Sequence, residues 1–225
     1  MMRTIVYLFD VKRANIWRAI SHMQSDRGPL KHHPDVEFFK LLGTGTGETF
    51  TPRDANMYRW GMLITIDDSK IDEFDKDSII AGWRKFAAHE MRLTLVPISV
   101  HGVWSGKQPF HSEPNFQWDG AVVAITRASI KWRKNLLFWR AVPPVISSLR
   151  QSPGLELAIG IGEAPIGLQG TLSIWSDAES IRNFAYKGQA HAAVISETAK
   201  QGWYRDELFA RFALIQKRGS ISEGL

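Results

Sequence analysis

One order of strand and helix patterns runs along this chain twice. In the first half, residues 4–10 are apolar and β-branched and read as a strand, and residues 14–23 carry Ile16, Trp17, Ile20 and Met23 at helical spacing. Residues 37–42 and 57–66 read as two more strands. Residues 78–91 read as a helix with Ile79, Trp83, Phe86 and Ala87 on one side, and 93–104 as a strand bent at Pro97. The second half repeats the succession: a strand at 121–128, a helix within 132–149 interrupted or capped at Pro143-Pro144, strands at 155–162 and 170–175, a helix over 176–200 and a last strand at 203–215. Within that last strand, residues 205–207 suit a helix or turn equally. Each half places glycines after its second strand, and a segment with Gly106, Pro109 and Pro114 separates the halves. This βαββαβ succession is ferredoxin-like. It predicts an α+β fold in which residues 1–110 and 118–218 form two ferredoxin-like halves whose sheets share one core as a single barrel. The polar residues after 218 are expected to fray.

The length of 225 residues fits one such unit, and 44% hydrophobic with 23% charged residues is enough to pack a core. Cysteine is absent. That excludes disulfides, zinc–cysteine sites, iron–sulfur clusters, a cysteine nucleophile and a thiolate-ligated haem within this chain. No apolar run approaches the roughly 18 residues of a membrane span, and the N-terminus reads as a strand rather than a signal peptide, so a cytoplasmic location is expected. The net charge of +5 suits an anionic partner. No RNA-recognition signature, zinc finger or basic-aromatic repeat accompanies it, so nucleic acid is not expected. Residues 131–140 mix Lys131, Arg133, Lys134 and Arg140 with Trp132, Phe138 and Trp139. They read either as a solvated amphipathic helix or as a peripheral contact with an anionic membrane surface.

The glycine-rich GTGTGE at 43–48 lacks the Gly-Lys-Ser/Thr of a phosphate-binding loop, and no helix pattern follows it as a dinucleotide site requires. It reads as a bent hairpin. Ser176-Asp-Ala-Glu179 matches a capping box that starts a helix at this point. From that start Ile181, Phe184, Gly188, His191, Ile195 and Thr198 fall on one stripe, which places His191 on the buried face with no side chain one turn before it. Two readings follow: a hydrogen-bonded core histidine, or an axial haem ligand, for which a neutral imidazole and the gap at Gly188 are suited. The other histidines have no metal-site spacing, and there is no H-E-x-x-H helix.

Several separated motifs in order carry a family resemblance. They are GTGTGETFTPRDAN (43–56), GVWSGKQPF (102–110), TRASI (126–130), FWRAVPPV (138–145), GIGEAP (160–165), GTLSIW (170–175), FAYKGQAH (184–191) and WYRDELFARF (203–212). Together they resemble the spheroidene monooxygenase family, the acyclic carotenoid ketolases of purple bacteria. The resemblance implies a haem-binding dimeric α/β-barrel type of fold and a homodimer. It implies oxidation of an activated methylene of a linear carotenoid by two hydroxylations at one carbon, the geminal diol then losing water to leave a ketone. It further implies b-type haem with iron held by His191, and electrons from a ferredoxin-type carrier. Arg127 and Arg140 are the candidate propionate partners, because a guanidinium pairs bidentately with a carboxylate; Lys187 and Arg53 are further candidates. Trp175, Phe184, Tyr186 and Trp203 are candidates to line the haem or polyene, and Glu163 to deliver protons. Two other classes fit the same patterns: a haem-binding carrier, sensor or lyase without oxygenase activity, and a cofactor-free oxygenase or ligand-binding barrel.

Overall fold

The run Ile5-Val6-Tyr7-Leu8-Phe9 shows no alternation of polar with apolar residues, the pattern of a strand covered on both faces. The computed structural model describes residues 1–46, 54–113, 116–130, 149–163, 170–187 and 204–222, with backbone alone at 129–130, 185–187 and 204–205, and it shows both covers. Val6 and Leu8 of β1 (Met2–Val11) belong to the cluster filling a closed barrel. Ile5, Tyr7 and Phe9 of the same strand pack outward with Ala19 and Met23 of α1 (Ile16–Ser25), Leu30 of α2 (Arg27–Lys31), Ile71 and Phe74 of α3 (Ile71–Phe74), and Ile79, Ile80 and Trp83 of α4 (Ser78–Arg84).

The remaining strands are β2 (Val36–Gly45), β3 (Ala55–Asp67), β4 (Ala87–Gly102), β5 (Val122–Ile130), β6 (Leu155–Gly162), β7 (Gly170–Trp175) and β8 (Tyr204–Gly219), and α5 (Ala178–Lys187) precedes β8. Around the ring the order is β1-β3-β2-β6-β7-β5-β8-β4, every neighbour antiparallel. The first four strands lie together as β4-β1-β3-β2 and the last four as β8-β5-β7-β6, so the same relative order occurs in both. All eight strands send side chains inward, among them Leu42, Leu63, Leu93, Val123, Ile161, Leu172 and Phe212. Trp104 and Phe110, from the segment after β4, are each 1% exposed and pack into the same interior. Phe110 meets Phe212 edge-on at 5.0 Å.

Three expectations change. The helix expected over 78–91 stops at Arg84, and the chain enters β4 at Ala87. Pairing with β1, as in Asp10↔His89 and Leu8↔Met91, overrides the helical spacing there. Residues 205–207 are strand, because Asp206 and Glu207 pair with Ser129 and Ala128 of β5. GTGTGE does not bend into a hairpin at its first glycine: Gly43-Thr44-Gly45 stays in β2 and pairs with Gly160-Ile161-Gly162 of β6. The glycines of the two halves therefore meet each other, and they form one of the two seams that close the ring. The other seam, β4 with β8, runs from Met91↔Gly219 to Gly102↔Leu208. It continues past Pro97, where the register shifts between Pro97 and Ser99, as expected for a residue with no N–H to donate.

At the far end of β8 the chain is clasped to the barrel. The Arg59 guanidinium donates to Asp10 Oδ1 at 2.6 Å and to the Ser222 carbonyl at 2.7 Å, and the Ser222 N–H donates to Asp10 Oδ2 at 2.7 Å. Residues 220–222 are thus held, where fraying was expected.

Candidate functional site

Helix α5 starts from a side-chain cap. Asp177 Oδ1 accepts the Ser180 N–H at 2.7 Å, and Ser176 Oγ donates to Asp177 Oδ2 at 2.7 Å. The expected cap, Ser176, instead supports the true one. A carboxylate is the stronger acceptor for an orphan helical N–H, and the Ser180 backbone hydrogen bond holds the Asp177 carboxyl below its ordinary range. From this start α5 turns Ile181 inward, where it is buried with Val122, Ala124, Leu149 and Trp175 on the outer face of the second half's sheet. Phe184 lies on Trp175, ring centroids 5.5 Å apart and tilted by 33°. The first two members of the apolar stripe are therefore placed as expected. Gly188, His191, Ile195, Thr198, Arg53, Arg140 and Trp203 lie outside the described residues, as do the side chains of Tyr186 and Lys187.

Arg127 stands on the other face of that sheet. Side chains alternate along a strand: Val122 and Ala124 face α5, whereas Val123 and Ile125 face the barrel interior, and Arg127 follows them inward. Its guanidinium donates to Asp206 Oδ1 at 2.5 Å and to Glu163 Oε1 at 3.0 Å. Glu163 also accepts from Lys40 Nζ at 2.5 Å and from the indole N–H of Trp104 at 2.8 Å. Asp206 Oδ2 takes the backbone N–H of Ser105 at 2.8 Å, and Lys40 Nζ donates to Ser105 Oγ at 2.9 Å. The Trp104 ring has Lys40 Nζ at 5.7 Å and Arg127 Cζ at 5.6 Å from its centroid, within cation–π range.

Two cations and two carboxylates balance here, and the arrangement seals the end of the barrel at which β8 begins. Burial pushes the Glu163 carboxyl up, but the hydrogen bonds from Lys40 and Trp104 and the charges of Lys40 and Arg127 outweigh it and hold the group ionised below its ordinary range. Lys40, Trp104 and Asp206 were not singled out from the sequence. Their signal was nonetheless present: Trp104, Arg127, Glu163 and Asp206 come one each from the motifs GVWSGKQPF, TRASI, GIGEAP and WYRDELFARF. Lys40 lies between Phe38 and Leu42 on the same inward face of β2. Among the described residues no three histidine, aspartate or glutamate side chains converge as an ion site, and no helix is long and apolar enough to cross a membrane.

No family model matches the chain. Among individual proteins, spheroidene monooxygenase of Rhodobacter capsulatus is 37% identical over 223 residues, covering 96% of this chain and 90% of that protein. The chain belongs to the spheroidene monooxygenase family. The enzyme of that name from Cereibacter sphaeroides is 30% identical across 93% of this chain and 65% of its own greater length, and that from Rubrivivax gelatinosus 28% identical across 96% and 83%. As a member of the spheroidene monooxygenase family the chain is an oxidoreductase. The fold is shared more widely. An aldoxime dehydratase solved with butyraldoxime superposes with a TM-score of 0.60 at 10% identity, over 95% of this chain and 79% of that one. A second aldoxime dehydratase structure gives 0.54 at 8% identity, over 95% and 81%. At such identities the likeness concerns architecture alone.

Proposed function

We propose that this chain oxidises an acyclic carotenoid, taking an activated methylene to a ketone with dioxygen and external electrons. The observation that carries this reading is the relationship to spheroidene monooxygenase along 96% of the chain. We assign the iron of a b-type haem to His191. Bound haem supplies the activation of dioxygen.

The described residues fit such a group on the α5 side of the sheet. A flat apolar macrocycle needs an apolar wall beside its nitrogen ligand. Phe184, half-buried on Trp175 at the edge of the cluster under α5, is the described residue that offers one. The interior of the barrel is filled by side chains from every strand, so the polyene is placed outside it. Arg127 faces inward and is engaged by two carboxylates. We assign it to sealing the barrel end, which leaves the propionates to Arg140, Lys187 and Arg53. Glu163 is engaged by three donors, Lys40, Trp104 and Arg127, and we assign it to the same sealing role.

With no cysteine for an iron–sulfur cluster, the electrons come from a separate ferredoxin-type carrier, and the net charge of +5 favours an acidic one. The recurring strand order supports reading residues 1–110 and 118–218 as fused ferredoxin-like halves. The test is His191→Ala. It is expected to remove stoichiometric haem and its Soret band while far-ultraviolet circular dichroism stays unchanged. A variant that retains full haem with an unaltered spectrum overturns the ligand assignment. A haem-loaded wild type that leaves an acyclic carotenoid unconverted, with reductant and dioxygen supplied, overturns the activity.

A further inference from the structure

Six tryptophans fall among the described residues, and five have a partner for the indole N–H. Trp60 donates to the Met57 carbonyl, Trp83 to Asp26, Trp104 to Glu163, Trp118 to the Ala121 carbonyl and Trp175 to Ser173. Trp17 is the exception. It is 79% exposed, more than any other large hydrophobic side chain described, and it makes no hydrogen bond or ring contact there. Its helix does not need it: α1 packs through Ala19 and Met23, with Ile16 and Ile20 beside them, and Trp17, expected from the spacing to join them, lies at the margin of that stripe and turns out into solvent.

The surroundings of Trp17 carry one sign of charge. Lys12, Arg13 and Arg18 are exposed, and none of the three enters an ion pair among the described residues. No aspartate or glutamate occurs between Asp10 and Asp26, and both of those are buried, Asp10 against Arg59 and Asp26 beneath Trp83. An exposed indole with cations before and after it in the chain matches a surface that is apolar inside and anionic outside. Tryptophan is enriched at the membrane–water boundary because its ring is apolar and its N–H is polar, and cations beside it meet lipid phosphates.

We infer that the start of α1, with Trp17 as the wedge and Lys12, Arg13 and Arg18 as its ring of charge, docks this protein on an anionic lipid surface. The inference rests on the proposed carotenoid substrate in one respect: an acyclic polyene resides in the bilayer, so an enzyme acting on it gains by resting there. Each cation near such a surface strengthens binding about fivefold, so the three together give about 100-fold. Binding falls as salt shortens the range of their field.

The test is co-sedimentation of the full chain with phosphatidylglycerol-containing vesicles and with pure phosphatidylcholine vesicles. Wild type, Trp17→Ala and the triple variant Lys12→Glu, Arg13→Glu, Arg18→Glu are compared, with detergent-solubilised carotenoid turnover as a parallel arm. Wild type is expected to bind the anionic vesicles preferentially. The triple variant should lose about 100-fold or more, and Trp17→Ala should bind more weakly even at high salt. All four side chains are exposed and unpartnered, so the melts should coincide within a degree or two. Unchanged vesicle binding by both variants overturns the inference, as does equal wild-type binding to neutral and anionic vesicles. Were this face a seat for an acidic electron carrier, charge reversal would raise KM for the carrier and leave vesicle binding intact, which also overturns it. The turnover arm separates the two readings. Carotenoid oxidation in detergent with unaltered vesicle binding sinks the docking site alone, whereas charge-dependent vesicle binding without oxidation sinks the substrate assignment alone.

Discussion

Replacing Glu163 with Gln tests whether the sealed end of the barrel is held by charge or by shape. Gln is isosteric and still accepts the Trp104 N–H, so packing around the indole is retained. What disappears is the negative charge facing Lys40 Nζ at 2.5 Å and Arg127 Nη2 at 3.0 Å. Their side chains are only 15% and 7% exposed, so neither cation recovers full hydration when its partner is neutralised. A hydrogen bond to a charged group is worth about 1.5–3 kcal/mol. Glu163 itself is 31% exposed, so solvent screening pulls both contacts to the low end. The variant is expected to lose about 2–3 kcal/mol, which for a protein of this size lowers Tm by about 4–12 °C.

The pH dependence gives a second, independent reading. The folded-state pKa of Glu163 lies below the ordinary value of 4.5, so its contribution is complete above that value and is lost as pH falls through the lowered one. The stability gap between wild type and Glu163→Gln should therefore be full at neutral pH and close in acid, because protonated Glu163 resembles Gln. Urea denaturation of both proteins, at neutral pH and at a series of acidic values, measures the gap. A variant as stable as wild type at neutral pH, or a gap that stays constant into acid, would refute charge as the holding force.

Two other substitutions probe backbone and burial. Gly102 has φ of +89°, and a Cβ there would sit 2.1 Å from the Glu207 carbonyl oxygen, whereas Gly106 has φ of +73° and nothing within 4 Å. Gly102→Ala should thus cost about 3 kcal/mol or more, against about 1 kcal/mol for Gly106→Ala, and equal chemical-denaturation midpoints would contradict the difference. Asp10 is 1% exposed and binds both Arg59 and the Ser222 N–H. Asp10→Asn should cost about 3–5 kcal/mol by leaving a buried guanidinium uncompensated, and faster proteolysis of the C-terminal residues should accompany it.

The parts of this fold legible in the sequence were those set by local pattern. The apolar runs at 4–10 and 170–175 gave strands because a strand buried on both faces cannot hide its composition, and α5 could be registered from Ile181 and Phe184. What escaped depended on pairing between distant segments. The glycines at 43–45 were weighed as local turn chemistry, but their partners are the glycines at 160–162 in the other half. Arg127 was considered for the affinity of a guanidinium for carboxylates. That affinity is indeed used, by Asp206 and Glu163, which only the register of β5, β6 and β8 brings within reach. Counting two residues back to Ile125 would have shown that Arg127 faces inward.

The unequal closures of the ring have a consequence for how it comes apart. One join is welded along most of β4 and β8, while the other is a clasp that shows three residue pairs among the described residues, four of whose positions are glycine, so the side-chain grip across it is left to neighbours such as Lys40 on Glu163. Thermal opening will find the clasp first. Releasing it frees two strand edges without breaking the weld, so the first excursion from the closed ring is an uncurled ribbon that runs unbroken from β6 at one margin to β2 at the other. Both margins are then raw, hydrogen-bond-hungry backbone with little side-chain bulk to fend off a neighbour. The same glycines that let the two halves meet so closely would, in a crowded solution, let one molecule's ribbon zip onto another's.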